Sequence, residues 1–187
     1  MMPYRKKTGF IVLFVLGMTL LTCRTQTGVL STVYGDNLLQ NSSFEENGNS
    51  SSAFWKIHNY PGFQFAKDAP EGGGEWSVSL PSNWAPPTVY ISQTIPTPPN
   101  MRDFQFSFWA NNQVTGSYGK VIGIYPDTTQ TLVEVRTTAE EKWKQYVRAF
   151  QLPTPTPDSL RVELWAAPTE IARIITLYDV VALRGVE

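Results

Sequence analysis

The segment FQFSFWA at residues 104–110 alternates large apolar side chains with mostly polar ones. Successive side chains of a β-strand point to opposite faces, so the three phenylalanines share one face and the remaining side chains share the other. That other face carries Gln105, Ser107 and Trp109. Three phenylalanines in one row have to be removed from water. The segment therefore predicts a strand that packs one face against a hydrophobic core and turns a tryptophan away from it.

Seven further segments share this character, being short alternating or β-branched runs bounded by proline, glycine or asparagine. They cover residues 75–80, 89–94, 121–126, 131–138, 143–152, 160–166 and 175–183. Turn residues at 126–128 separate the third of these from the fourth, which predicts a hairpin. No long stretch from residue 37 onward has a helical period. About eight strands with this spacing predict an all-β fold, a β-sandwich jelly roll of two antiparallel sheets.

The composition limits the classes of function. Of the 187 residues, 42% are hydrophobic and 17% are charged, and the formal net charge is -1. This balance is typical of one packed domain rather than a disordered chain. Lysine and arginine are scattered rather than grouped, which argues against nucleic-acid binding. The single cysteine, Cys23, excludes a disulfide within the chain and a cysteine-based zinc site.

The first residues resemble an export signal. Arg5, Lys6 and Lys7 precede an apolar run at residues 10–21, which is the order of a basic region and a short hydrophobic region. Roughly a dozen residues are fewer than the about 20 that cross a bilayer as a helix, so an uncleaved anchor is the less favoured alternative. We expect residues 1–23 to direct the chain out of the cytoplasm.

The apolar run ends in LLTC at residues 20–23, which resembles the lipobox of bacterial lipoproteins, where the cysteine is acylated. Thr22 departs from the glycine, alanine or serine that usually precedes that cysteine. We expect an acylated Cys23 to anchor the protein in the membrane at the cell envelope, with residues 24–36 as a tether. Plain cleavage, which gives a secreted protein, and a buried thiol are the alternatives.

Two tryptophans are out of phase with the apolar residues of their strands. Trp109 alternates with the phenylalanines, and Trp165 falls on the same side of its strand as Arg161 and Glu163. Aromatic rings flanked by polar side chains are typical of sugar-binding surfaces, so we expect one mixed face that carries both tryptophans. Residues expected to share it are Gln93, Glu134 and Arg136. The alternative is that both rings cover the core or a sheet edge.

The other tryptophans differ in setting. Trp84 lies in a proline-rich loop after the segment at 75–80, where an exposed ring favours a binding role, and Trp76 is a weaker candidate. Trp55 and Trp143 are predicted to pack in the core or at a corner. Tyr60 and Tyr118 occupy apparent loops and are candidates for the rim of a cleft.

Catalytic patterns are absent from the sequence. His58 is the only histidine and has no cysteine or acidic cluster beside it, and neither G-x-S-x-G nor H-E-x-x-H occurs. Glycoside hydrolysis needs two carboxylates across a cleft. Distant pairs such as Glu134 and Glu163 remain an open alternative across a sheet. We expect a protein that is not an enzyme.

Four segments in order carry a resemblance to a known group. They are residues 37–46, 91–110, 141–153 and 177–183. Together they resemble the carbohydrate-binding modules of the family 4, 9, 16 and 22 group, the cellulase-C type. Gln93 and Phe108 match family positions in the second segment. Ser42 replaces a usual glycine, and Val180 replaces a second acidic or amide residue.

The resemblance implies a galactose-binding-domain-like jelly roll that binds a polysaccharide or oligosaccharide on one concave sheet. It also implies a structural calcium ion, with Glu45 and Asp179 at the matching positions. Calcium accepts backbone carbonyls among its six to eight oxygen ligands, so two acidic side chains suffice. The expected carbohydrate-binding residues are Trp84, Trp109, Trp165, Gln93, Arg161 and Glu163. Alternatively, the same sandwich contacts a protein partner or has a structural role.

Overall fold

The computed structural model describes residues 34–59, 62–82, 88–168 and 174–186. These ranges contain twelve strands and no helix. The strands are β1 (Glu45–Glu46), β2 (Asn49–Ser50), β3 (Lys56–His58), β4 (Gln64–Ala66), β5 (Ser77–Pro81), β6 (Tyr90–Pro96), β7 (Asp103–Asn112), β8 (Tyr118–Ile124), β9 (Thr129–Arg136), β10 (Glu140–Gln151), β11 (Ser159–Trp165) and β12 (Ile175–Gly185). Accordingly, no described segment is a helix long and apolar enough to span a bilayer.

Two five-stranded sheets make up the domain. One has the order β10-β7-β12-β5-β4, the other has the order β3-β6-β11-β8-β9, and β1 and β2 form a separate small pair. Every pairing is antiparallel. The predicted all-β sandwich of two antiparallel sheets is confirmed.

All eight predicted strands are present, and β8 and β9 form the predicted hairpin. Strands β1 to β4 were not predicted. Each has only two or three residues, which is too short for an alternating pattern to be recognised.

The hydrophobic core lies between the two sheets. Phe104, Phe106 and Phe108 of β7 are fully buried, as predicted. From the other sheet, β11 contributes Leu160, Val162 and Leu164, which belong to the same buried cluster. Burying one such side chain stabilises the fold by about 1.5–3 kcal/mol. The two rows explain why the sheets pack face to face.

Gly119 in β8 is required by this packing. A Cβ atom at this position would lie 2.5 Å from Phe108 Cε1 and 2.9 Å from Phe106 Cζ. No larger residue fits without moving the phenylalanine rings. Because Gly119 has no side chain, β8 can lie directly over Phe106 and Phe108 of β7.

The N-terminal part of the domain is fixed to β12. Tyr34 forms a bridge with Val186, and Gly35 N–H donates to Gly185 O at 3.0 Å. Asn37 donates to Val181 O and accepts from Leu183 N–H. The tether predicted over 24–36 therefore overlaps the domain at residues 34–36. The predicted export signal and Cys23 lie outside the described residues.

Trp55 and Trp143 occupy different environments. Trp55 is buried against Phe44, and its Nε1 donates to Asn41 O at 3.0 Å. The predicted core position of Trp55 is thus confirmed. Trp143 is partly exposed on β10, and its Nε1 donates to Asp68 Oδ1 at 3.0 Å.

Candidate functional site

A row of five side chains crosses one sheet from edge to edge. Each strand of the order β3-β6-β11-β8-β9 contributes one residue, and each residue is paired in register with the next. In strand order they are His58, Tyr90, Trp165, Tyr118 and Arg136. We call this set the aromatic row.

Strand alternation places the aromatic row on the outer face of the sheet. In β11, three leucine and valine side chains point into the core, so Arg161, Glu163 and Trp165 point outward. In β6, Ile91 is buried in the core and Tyr90 points outward. The predicted grouping of Trp165 with Arg161 and Glu163 is confirmed.

The rings of the aromatic row are stacked on one another. The centroids of His58 and Tyr90 are 4.1 Å apart with an interplanar angle of 3°, and those of Tyr90 and Trp165 are 4.0 Å apart at 6°. Tyr118 and Trp165 are 5.7 Å apart at 10°, and Arg136 Cζ lies 5.4 Å from the Tyr118 centroid. Because the rings stack face to face along the row, each ring plane stands perpendicular to the direction of the row. They therefore present edges to the surface, and neighbouring groups cover their faces.

This arrangement differs from the expected sugar platform. One face of Trp165 is covered by Tyr90, and Lys120 Nζ lies 4.7 Å from the Trp165 centroid. A pyranose that stacks on a ring needs a free ring face. A ligand at the packed row would meet ring edges and the polar groups beside them.

A second row of side chains lies next to the aromatic row on the same face. Its members, again in strand order and in register, are Lys56, Ser92, Glu163, Lys120 and Glu134. We call it the charged row. Both rows together with Arg161 define the Trp165 face. The expected placement of Glu134 and Arg136 on this face is confirmed.

Glu163 is the central group of the charged row. Its side chain is only 2% exposed, although it points away from the core. Lys120 Nζ lies 3.1 Å from Oε2 and Arg161 Nε lies 2.8 Å from Oε1. Trp165 Nε1 donates to Oε2 at 2.7 Å. The carboxylate is therefore neutralised by two cations and fixes the orientation of the Trp165 ring.

The surroundings of His58, at one end of the row, lower its pKa. Its Nε2 lies 2.8 Å from Ser92 Oγ. Partial burial lowers the pKa of His58, and the nearby Lys56 cation lowers it further. Both effects disfavour the imidazolium form.

The two tyrosines of the row keep their protons. Burial raises the pKa of Tyr90 and of Tyr118, and the Glu163 and Glu134 carboxylates add to this effect. Within the described ranges, neither phenolic hydroxyl has a hydrogen-bond partner. Both are available to donate to and accept from a ligand.

The expectation that Trp109 shares the Trp165 face is wrong. Trp109 belongs to β7, and it lies on the outer face of the opposite sheet, between Gln145 of β10 and Asp179 of β12. Both tryptophans point away from the core, but from opposite sides of the sandwich. They therefore cannot contact one ligand together as a single platform.

The expected placement of Gln93 is also wrong. Its side chain points inward with Val89 and Ile91 and is 5% exposed. Gln93 Oε1 accepts from Gln40 N–H at 2.8 Å, and Nε2 donates to Gln40 O at 2.9 Å. The amide pairs with the backbone of the N-terminal segment and is unavailable to a ligand on the outer face. Trp84 and Tyr60 lie outside the described residues.

Five members of the site were missed by sequence reasoning, namely His58, Tyr90, Lys56, Ser92 and Lys120. Tyr118 was expected in a loop but begins β8. For Tyr90 the signal was present, because it alternates with Val89 and Ile91 on the predicted strand. His58 lies in a strand of three residues, which leaves no readable pattern.

Glu45 and Asp179 form a second cluster, near β1 and β12. Asp179 is fully buried, and its Oδ2 has no hydrogen-bond partner in the described structure. Burial raises the pKa of Asp179 to about 8, and the nearby Glu45 carboxylate contributes to the increase. Glu45 Oε1 accepts the N–H groups of Glu75 and Trp76. The calcium site implied at Glu45 and Asp179 stays a prediction.

The glycines beside this cluster leave room for the two carboxylates. A Cβ on Gly73 would lie 2.2 Å from Asp179 Oδ2, and one on Gly74 would lie 2.2 Å from Glu45 Oε2. The described residues contain no group of three or more His, Cys, Asp or Glu side chains that could hold a metal. An ion at this position would need backbone carbonyls as additional ligands, which calcium accepts.

A groove of about 510 Å³ lies at the other end of the strands. It is lined by residues 97–102 and 156–158. This lining includes no aromatic ring, and its charged residues are Arg102 and Asp158. The groove lacks the dense polar and aromatic grouping of the Trp165 face.

No family model matches the sequence, and no curated protein matches it. Solved structures do match. The family 61 module TmCBM61, solved in complex with β-1,4-galactotriose, is 18% identical, with a TM-score of 0.53 over 80% of this chain and 98% of that one. The CBM22-1 xylan-binding domain of Paenibacillus barcinonensis Xyn10C is 13% identical, with a TM-score of 0.55 over 82% and 96%.

The enzymatically active domain of tailspike protein 4 from bacteriophage CBA120 is 17% identical, with a TM-score of 0.62 over 81% of this chain. The match spans only 21% of the tailspike chain. A Stig cyclase from Fischerella sp. TAU also matches. The resemblance to carbohydrate-binding modules is therefore confirmed at the level of the fold. Because the fold also occurs in enzymes, it does not decide between binding and catalysis.

Proposed function

We propose that the Trp165 face binds a polysaccharide or an oligosaccharide. The observation that carries this proposal is the aromatic row, which crosses all five strands without a gap. Four interstrand spacings of about 4.8 Å give it a length of roughly 19 Å. This is the scale of a short oligosaccharide rather than of one small molecule.

The polar groups of the face match the hydroxyls of sugars. The tyrosine hydroxyls, which have no hydrogen-bond partner among the described residues, stand beside lysine and arginine donors and the Glu134 carboxylate, so the face offers both donors and acceptors. The ion pairs of Glu163 hold several of these groups in place before a ligand arrives. Preorganised polar groups reduce the entropy that binding costs.

We propose a binding role without catalysis. Glu134 and Glu163, the pair left open by the sequence, lie in one row with Lys120 between them. Glu163 is paired with two cations, and Glu134 Oε1 lies 2.7 Å from Arg136 Nη2. Carboxylates neutralised in this way are poor general acids. The solved sugar-binding neighbours of this fold support the same reading.

The alternative function is contact with a protein partner. It is favoured by the exposed apolar side chains Val147 and Ile175, which lie on the other sheet. Such a partner would bind there, so the two functions would use different surfaces of the sandwich.

The proposed location is the cell envelope, outside the cytoplasm. Its support is the basic and apolar order of residues 1–21 and the LLTC segment that ends at Cys23. Incorporation of a labelled fatty acid tests this directly. The label should appear in the protein and be lost in Cys23→Ala, whereas a labelled variant would contradict acylation at this cysteine.

We also propose that Glu45 and Asp179 hold a structural calcium ion. A buried carboxylate with a second carboxylate nearby needs a compensating cation or a proton. Asp179 Oδ2 has no hydrogen-bond partner among residues the structure describes, which supports a cation. Bound calcium would supply charge neutralisation and join β1 to β12.

A glycan array tests the binding proposal. The chain from residue 24 onward is applied with calcium and with a chelator, beside the Trp165→Ala variant. We expect one group of related glycans to be retained, with retention lost in the variant. An array on which no glycan is retained, with folding confirmed by circular dichroism, would contradict the proposal.

A further inference from the structure

The Trp165 face carries an excess of positive charge. Its cations are Lys56, Lys120, Arg136 and Arg161, and its carboxylates are Glu134 and Glu163. The whole chain has 15 lysine and arginine residues against 16 acidic ones. The face thus has two more cations than carboxylates within a protein that is slightly acidic.

Two of these cations, Lys56 and Arg136, are exposed and accessible to a ligand. Lys56 is exposed and has no ion-pair partner among the described residues. Arg136 is paired with Glu134 but is 67% exposed at the end of the aromatic row, so its guanidinium stays within reach of a ligand. These two cations lie at opposite edges of the sheet, on β3 and β9. A ligand lying along the row would meet a cation at each end.

The ring stacking favours the same sign of ligand charge. An aromatic ring carries partial negative charge on its face and partial positive charge at its edge. In the aromatic row the faces of Tyr90 and Trp165 are turned toward neighbouring rings. The edges that remain at the surface attract anions and oxygen atoms more than they attract the apolar side of a neutral sugar.

We infer that the glycan bound by this face is an anionic polysaccharide, one that bears carboxylate or sulfate groups. This inference rests on the proposed glycan-binding function and narrows its substrate class. The anionic groups would pair with Lys56 and Arg136, while hydroxyls of the same chain would bond to the tyrosines of the row.

The experiment compares three polysaccharides by affinity electrophoresis and calorimetry. They are polygalacturonate, a sulfated galactan and neutral galactan. We expect one or both anionic chains to bind at least about tenfold more tightly than neutral galactan, with the difference decreasing at high salt. Preference for polygalacturonate assigns carboxylate recognition, and preference for the sulfated galactan assigns sulfate recognition.

Two variants distinguish a specific binding site from non-specific electrostatic attraction to polyanions. Lys56→Gln and Arg136→Gln should each weaken anionic binding by about three- to fivefold, the range of one exposed ion pair. Arg184→Gln is the matched control, because Arg184 is also exposed and lies on the opposite sheet. An equal loss in the control would overturn the inference.

The outcomes also distinguish this inference from the proposed function. Neutral galactan bound as tightly as both polygalacturonate and the sulfated galactan overturns the anionic preference and leaves glycan binding intact. Failure to retain any glycan, here and on the array, overturns the proposed function itself.

Discussion

Trp109 and Trp165 have almost the same local sequence pattern, but they lie on opposite outer faces of the sandwich. Each is followed by alanine at the end of an alternating run, and each points away from the core. Trp165 lies in a row of stacked rings, whereas Trp109 lies beside Gln145 and Asp179. Alternation therefore fixes whether a side chain points inward or outward, but it does not fix which sheet carries it.

Each outer face carries a buried carboxylate, and the two carboxylates differ in whether nearby cations neutralise them. Glu163 is paired with Lys120 and Arg161. Asp179 instead lies near a second carboxylate, Glu45, and its Oδ2 has no partner in the described part of the chain. One carboxylate is neutralised by the protein, and the other needs a proton or an external cation. This difference is why we propose a ligand for the first face and an ion for the second.

The largest effect is expected when the Glu163 pairs are broken. Glu163→Gln leaves Lys120 and Arg161 without a partner, and the unfolding free energy should fall by about 3 kcal/mol, the lower end for a buried ion pair. Urea denaturation measures this. Glu134→Gln is the control, because its partner Arg136 is exposed, and it should cost less than about 1 kcal/mol. Equal losses would show that burial of Glu163 does not matter.

Calcium should act on the opposite sheet. At a calcium concentration 100 times the dissociation constant, the stabilisation should be about 2.7 kcal/mol, measured as a higher melting temperature than in chelator. Asp179→Asn should abolish the increase. Asp127→Asn, in the turn between β8 and β9, should preserve it. A melting temperature that is the same in calcium and in chelator would leave the calcium proposal without support.

The pH dependence without calcium has a definite sign. The pKa of Asp179 is about 8 in the folded protein, above its unfolded value of about 3.9. The folded state therefore holds an extra proton between these values, and stability in chelator should fall as pH rises from about 4 to 8. Calcium bound at Asp179 would displace the proton, so it should remove this loss. Chelator and calcium melting curves across this pH range measure both.

Binding distinguishes the two tryptophans. Trp165→Ala removes the centre of the aromatic row and should weaken glycan binding by about thirtyfold, as truncation of a buried aromatic contact does. Trp109→Ala should leave affinity within about twofold, because it lies on the other sheet. Calorimetry with a retained glycan measures both. The reverse ranking would move the site to the Trp109 side.

The smallest effect concerns His58. Its titration midpoint, followed by NMR, should lie below that of an exposed histidine, because burial and Lys56 lower its pKa. Folding stability from this group is present above the unfolded pKa of about 6.5 and is lost as pH falls through the lower folded value. Lys56→Gln should raise the midpoint. An unchanged midpoint would show that Lys56 does not act on the ring.

The sequence predicted the strands better than it predicted the site. Alternation in β7 and β11 was strong, so their inward and outward residues were correctly separated. Gln93 was misplaced because its partner is the backbone of Gln40, 53 residues away, and no local pattern reveals such a contact. His58 and Tyr90 join Trp165 only through the strand order β3-β6-β11, which alternation cannot supply.

The direction of the aromatic row has a consequence for ligand length. Because the row runs across the strands, each successive sugar of a bound chain would meet the side chain of a different strand. Affinity should then rise with every added unit of an oligosaccharide and level off once the chain reaches beyond β3 and β9. The width of the five-stranded sheet, rather than the depth of a pocket, would then determine the length of the glycan segment that the protein contacts.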